Sequence, residues 1–234
     1  MPVSPVHRQP EPLAWFGSAA GAALLAAEQP RIAALLAARA TAPTLWLHPG
    51  GVAGSAVVPA GLSLRAVGGG FEGPVRCGLA LPLADASVAL IVLQHVAEGL
   101  PATLLGECVR VLQPGGRLWL LALNPASPYR LRWRRSGLRA LAAGRWQQRL
   151  RRAGLECTTP VERLGPCWKN ANDPAWLRAG CLLAADKRGP DLIAAPVARP
   201  AWRPAGVPGA LAGSLVRVRP AADSRNPVME EIAP

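Results

Sequence analysis

Residues 79–124 read LALPLADASVALIVLQHVAEGLPATLLGECVRVLQPGGRLWLLALN, and the order of elements in this stretch decides the fold. Val88 to Leu93 is a nearly continuous apolar run, short and rich in β-branched residues, as a strand buried on both faces should be. Gln94 and His95 then fall at its carboxyl end. From Pro101 to Leu112, apolar residues recur at helical spacing (Leu104, Leu105, Cys108, Val109, Leu112), and Pro101 suits a first turn. Pro114-Gly115-Gly116 stops that helix, and Leu118 to Leu123 supplies a second buried strand. A strand, helix and strand joined in this way form a parallel, right-handed βαβ unit. Open α/β sheets bind ligands at the carboxyl ends of their strands. Gln94, His95 and Asn124 therefore face the candidate site.

Working outward, the N-terminal side continues the α/β pattern. Ser18 is a plausible N-cap for an amphipathic helix running to Arg39 through Leu24, Leu25, Ile32, Leu35 and Leu36, which Pro30 should divide in two. Leu45 to Leu47 is a candidate first strand. It is followed by His48-Pro49-Gly50-Gly51-Val52-Ala53-Gly54, a glycine cluster that either lets backbone N–H groups approach a ligand or is a plain turn. Leu62 to Val67 is a second strand ending in Gly68-Gly69-Gly70, and Val75 to Leu79 a third.

On the C-terminal side, Arg130 to Arg152 holds nine arginines and no acidic residue. Leu138, Leu141 and Leu150 give it an apolar face, with Ser136 as N-cap and Gly154 just past the end. Its arginines can contact an anionic partner such as nucleic acid, or they can form a solvated face. Trp133 and Trp146 read as packing residues or as stacking platforms. Leu155 to Val161 and Trp176 to Ala185 complete the sheet. The expected organisation is a flexible arm over residues 1–14, an α/β domain over 15–189 and a Pro/Ala-rich, disordered tail over 190–234.

Composition sets the outer limits. The 234 residues are 50% hydrophobic with a mean hydropathy of +0.20, as a globular domain with a true core should be. No apolar run approaches the roughly 18 residues that span a bilayer. Trp15 to Ala27 comes nearest, but Glu11 and Pro12 interrupt a signal-peptide pattern. Five scattered cysteines (Cys77, Cys108, Cys157, Cys167 and Cys181) form no CxxC or metal-type pair, which favours reduced thiols and a cytoplasmic location. The net charge of +12 attracts polyanions in general. All but two of the 26 basic residues are arginine, so a GC-rich coding background accounts for much of that charge.

With these residues in place, LPLADASVALIVLQHVAE followed by VRVLQPGGRLWLLALNP resembles the class I S-adenosylmethionine-dependent methyltransferases, specifically the type 11 domain. Members typically show an LPF-like segment, a strand similar to DLVV, a His or Glu pair, and a helix ending in LKPGG. A bacterial subgroup also carries a Trp-containing N-terminal helix and an NPxSxxxLR segment, matched here by Asn124 to Arg132. The resemblance covers Trp15 to Trp202. It implies a doubly wound, seven-stranded, mostly parallel Rossmann-like sheet, with S-adenosyl-L-methionine across the strand carboxyl ends and an unidentified small molecule as methyl acceptor. It further implies cofactor contacts from His48, Gly50, Gly51, Gly54, Gly70, Cys77, Gly78, Leu79 and Gln94. His95 becomes the candidate general base, with Asp85 a weaker second choice; the other reading of His95 is packing or capping. No metal is implied.

There are departures from the family pattern. His48 to Gly54 replaces an acidic residue plus GxGxG, no carboxylate ends the second strand, Cys77 stands where Asp is common, and Ala89 replaces the Asp of DLVV. The alternative function is a catalytically inactive, methyltransferase-like binding protein that contacts nucleic acid through Arg130 to Arg152.

Overall fold

The computed structural model describes residues 11–50, 58, 60–168 and 174–189. Three helices flank one mixed sheet. The helices are α1 (Ala19–Ala37), α2 (Thr103–Val111) and α3 (Ala143–Arg152). The strands are β1 (Thr44–Pro49), β2 (Gly61–Val67), β3 (Gly70–Glu72), β4 (Val88–Gln94), β5 (Leu112–Leu123), β6 (Leu155–Cys157), β7 (Glu162–Leu164) and β8 (Gly180–Lys187). Their order is β3-β2-β1-β4-β5-β8-β6, with β7 also pairing β8. At the centre β2, β1, β4 and β5 are parallel, while β3 and β8 run antiparallel to their inner neighbours. The expected doubly wound α/β sheet is present, with the short β7 as an eighth strand beyond the seven expected.

The central βαβ unit follows its sequence pattern. All seven residues of β4 are buried, and α2 places Leu104, Cys108 and Val111 against the sheet. Arg110 pins the loop before β4: its guanidinium donates to the carbonyls of Leu81 and Leu83 and pairs with Asp85 and Glu107. Glu107 in turn accepts from the Leu81 N–H at 3.0 Å. Asp85 is thus a solvent-side partner of Arg110, its side chain 77% exposed.

Alternation along the strands divides the core into two layers. Trp46, Leu90, Val92, Trp119, Leu121, Leu182 and Ala184 pack beneath Ile32 and Leu36 of α1. Leu45, Leu47, Ile91, Leu93, Leu118, Leu120 and Leu183 share the other layer with α2, and with Trp146 and Leu150 of α3. Trp133 and Trp146 are both 3% exposed and are packing residues.

Elsewhere the structure departs from the sequence expectation. Pro30 does not divide α1, because Pro30 and Ala26, whose carbonyl loses its donor, both face solvent while buried residues anchor each half. Val75 to Leu79 is not a third strand; Gly68 (φ 58°) and Gly69 (φ 82°) turn β2 directly back into antiparallel β3. Only Cys77 of that stretch bridges, to Phe71. The basic segment opens in a 3-10 helix (Pro128–Arg132) and is α-helical only from Ala143, and the Ser136 hydroxyl donates to the Trp133 carbonyl at 2.7 Å instead of capping a helix. Gly154 (φ 87°) does end α3 as expected. The arm before Glu11 and the tail from residue 190 lie outside the described residues.

The entry into α1 makes a sharp test of packing. Ser18 caps the helix, its hydroxyl accepting from the Gly21 N–H at 3.2 Å. A Cβ at Gly21 would come within 2.5 Å of the Phe16 Cα and the Trp15 carbonyl oxygen, both rigid backbone atoms. Gly21→Ala is therefore expected to cost about 1–3 kcal/mol despite alanine's better helix propensity, read as a lower urea midpoint at constant m.

Candidate functional site

The carboxyl ends of β2, β1, β4 and β5 line up along one edge of the sheet. The register that pairs Leu47 with Leu93 sets His48 beside Gln94 at that edge. Gly68 to Gly70 lie at the end of β2, and the bridge from Cys77 to Phe71 brings Cys77, Gly78 and Leu79 next to them. The structure thus gathers His48, Gly50, Gly70, Cys77, Gly78, Leu79, Gln94 and His95 on one edge. Gly51 and Gly54 lie outside the described residues. Asn124, at the end of β5, is buried and spends its amide N–H groups on the carbonyls of Trp176 and Arg178.

The polar centre of this edge lies under α1. His95 leaves β4 in the left-handed conformation (φ 55°), which histidine tolerates better than most residues. Its ring stacks on Phe16 with centroids 4.9 Å apart and is fully buried. Nε2 lies 3.0 Å from both carboxylate oxygens of Glu28, and Nδ1 lies 3.0 Å from Oε2 of Glu98. The other Glu98 oxygen accepts from the Leu123 N–H at 2.7 Å. Gln94 donates to Glu28 at 3.1 Å, while its own Oε1 has no partner.

Burial alone would lower the imidazole pKa. The charge and hydrogen bonding of Glu28, then of Glu98, outweigh it and push the value up to about 10. The raised value favours an imidazolium at neutral pH, with both ring N–H groups directed at carboxylates. His48 is pulled the other way: burial lowers its pKa, opposed by a hydrogen bond to the Pro49 carbonyl. Its Nδ1 lies 2.8 Å from that oxygen.

Sequence reasoning missed Glu28 and Glu98. Glu28 sits on the stripe Leu24-Glu28-Ile32-Leu36, one carboxylate at four-residue spacing among apolar residues, and that interruption was the available signal. Glu98 stands three residues after His95, inside a short 3-10 turn (Val96–Glu98).

Residues 67–120, from the last residue of β2 into β5, match the family model described as Methyltransferase domain. The helix of the central βαβ unit and the strand before it lie wholly within that match. The resemblance to the class I S-adenosylmethionine-dependent methyltransferases therefore stands on the segment that first suggested it. No curated protein matches the chain. Among solved structures, similar chains include the 1,6-didemethyltoxoflavin-N1-methyltransferase of Burkholderia thailandensis, bound to 1,6-didemethyltoxoflavin and S-adenosylhomocysteine. That chain is 17% identical, with 70% of this chain and 79% of that one covered and a TM-score of 0.48. Another is an S-adenosylmethionine-dependent methyltransferase from Mesorhizobium loti, 16% identical, with 69% and 98% covered and a TM-score of 0.44. Neither comparison supports a nucleic-acid partner.

The methyltransferase domain's cofactor is S-adenosylmethionine, and what the described edge offers it is glycine backbone at Gly68, Gly69 and Gly78. Added Cβ atoms at Gly68, Gly69 and Gly78 would meet nothing within 4 Å, so bare backbone faces open space beside the ends of β2 and of the Cys77 bridge. Glu72, the nearest carboxylate to the β2 turn, is committed to Arg65 and Arg76. Among the described residues, backbone groups are what this edge chiefly offers a nucleoside.

Proposed function

We propose that the chain is an S-adenosylmethionine-dependent methyltransferase acting on a small-molecule acceptor, in the cytoplasm. The observation that supports it most is that the methyltransferase-domain match, residues 67–120, contains the open glycine backbone of Gly68, Gly69 and Gly78. All five cysteines are free thiols, and no described helix is long and apolar enough to cross a membrane.

In this reading Gly50, Gly70, Cys77, Gly78 and Leu79 hold the cofactor through backbone and van der Waals contact, with His48 and Gln94 beside them, while the expected contacts from Gly51 and Gly54 lie outside the described residues. When bound, the cofactor supplies an electrophilic methyl group. The protein's part is alignment and exclusion of water, which can supply most of the acceleration for a displacement of this kind. His95 was the candidate base. Fully buried, with both ring nitrogens against the carboxylates of Glu28 and Glu98, it does not reach a methyl acceptor, so we assign it a positioning role: it fixes the end of β4 and the underside of α1.

Titration calorimetry with S-adenosylmethionine and S-adenosylhomocysteine tests the reading. Binding heat is expected for both. Gly78 is exposed and has room for a side chain, so Gly78→Phe should leave the thermal midpoint unchanged while weakening cofactor binding by about 100-fold, roughly 2.7 kcal/mol. No heat from the natural sequence at millimolar cofactor would overturn the proposal.

A further inference from the structure

A second concavity adjoins the buried triad on its outer side. This cleft of about 890 Å³ is assembled from three separate segments: Glu11 and Pro12 before α1, Glu98 to Pro101 after β4, and Arg135 to Arg139 after β5. Small-residue packing holds the segments together. Gly99 receives the Leu13 side chain so closely that a Cβ there would lie 2.6 Å from Leu13 Cγ, and Gly137 (φ 82°) lies against Pro12. The Arg139 N–H donates to the Glu98 carbonyl at 3.1 Å, tying the third segment to the second. The cleft is therefore built by the fold, and its volume is that of a small-molecule site.

Its charge is specific. Arg135 and Arg139 are exposed, and no ion pair among the described residues includes either. Arg31, Arg110 and Arg117, by contrast, are each matched to a carboxylate. Of the two carboxylates on the cleft wall, Glu98 is turned inward, its oxygens held by His95 and the Leu123 N–H. Glu11 is the one other carboxylate that lines it, against two guanidiniums, so the cleft keeps a net positive charge. Two guanidiniums on one cleft wall are suited to the planar, bidentate recognition of carboxylate or phosphate.

We propose that this cleft binds a small anionic molecule carrying a carboxylate or phosphate group, held by Arg135 and Arg139, and that it seats the methyl acceptor. The acceptor role rests on the methyltransferase reading above; the anion site does not. Glu98 links the two, since its main chain forms the cleft wall while its side chain holds His95 at the end of β4.

The test is calorimetric titration of the full chain with inorganic phosphate and with benzoate at low ionic strength. Saturable binding is expected to at least one of the two, and the preferred probe tells phosphate from carboxylate chemistry. The double variant Arg135→Ala/Arg139→Ala should weaken binding at least tenfold. Arg151→Ala/Arg152→Ala on α3, with the same loss of charge, should change it less than twofold. Equal weakening in both double variants, or none in the first, overturns the site in favour of general attraction to a basic surface. So does the absence of saturable binding to either probe. Titrating the same samples with S-adenosylmethionine separates the two readings: cofactor silence with an intact phosphate or benzoate isotherm removes the acceptor role and the methyltransferase reading while the anion site stands.

Discussion

Glu28→Leu is expected to destabilise the fold by about 3–5 kcal/mol, the scale for breaking a buried ionic network by removing one partner. The side chain is fully buried, and three hydrogen-bonding contacts converge on it: two from Nε2 of His95 and one from the Gln94 amide. Leucine would leave His95 charged with one carboxylate in place of two. It would also leave Gln94 with neither polar atom satisfied, since its Oε1 is already without a partner. The site cannot relax easily, because Gly180 of β8 approaches so closely that a Cβ there would lie 2.7 Å from Glu28 Oε1. Glu28→Gln should cost less, as it keeps one acceptor oxygen for the imidazole, although it loses the charge and turns the other oxygen into a donor. Urea unfolding at pH 7 reads both values. A loss below about 1 kcal/mol for the leucine variant would show that the network contributes little to stability.

That result would also explain why α1 lies where it does. Residues 67 positions apart in sequence are joined by the His95 to Glu28 contact. The same contact ties the N-terminal helix to the strand end where a methyltransferase does its chemistry. An apolar helix face alone would specify burial but not rotation about the helix axis. A carboxylate among the apolar positions, facing a ring with two N–H donors, fixes that rotation.

How far the sequence could foresee this depends on the kind of signal each element carries. β4, α2 and β5 are legible because the local cues agree: unbroken burial in β4, apolar spacing of three and four residues in α2, and a Pro-Gly-Gly segment near the start of β5 that ends the helical pattern. The β2–β3 hairpin was missed because the third strand was sought at Val75 to Leu79, although a Gly-Gly pair between apolar runs also marks a two-residue turn. The start of α3 was misread because Ser136 has the right chemistry for a cap, but its hydroxyl is used locally by Trp133. The triad was invisible for a different reason. His95 was placed correctly at the strand end, but its protonation state is set by Glu28, and no local pattern couples those positions.

That protonation state gives the triad a distinctive pH signature. The imidazole titrates near 6.5 in an unfolded chain and at about 10 in the fold. A histidine whose folded value is raised contributes stability that is fully present below pH 6.5 and is lost as pH rises through about 10. Burial also lifts the Glu98 carboxyl above its ordinary value, so ring and carboxylate compete for one proton. Whichever atom holds it, the folded state keeps a proton that the unfolded chain has released above pH 6.5, and the sign of the slope is unchanged. Stability should therefore fall between pH 7 and 9 with a slope approaching about 1.4 kcal/mol per unit, the value for one proton. The window closes at pH 9 because the thiols of Cys108 and Cys181, raised to about 12 by burial, add a fall of the same sign beyond it. His95→Gln should be less stable at pH 7 and nearly flat across the same range. Nitrogen chemical shifts of the His95 ring in the unmodified protein should report two protonated nitrogens at pH 7.5. A neutral-ring pattern there, or equal slopes for the two proteins, would mean that the imidazolium between Glu28 and Glu98 is not what holds α1 to the sheet.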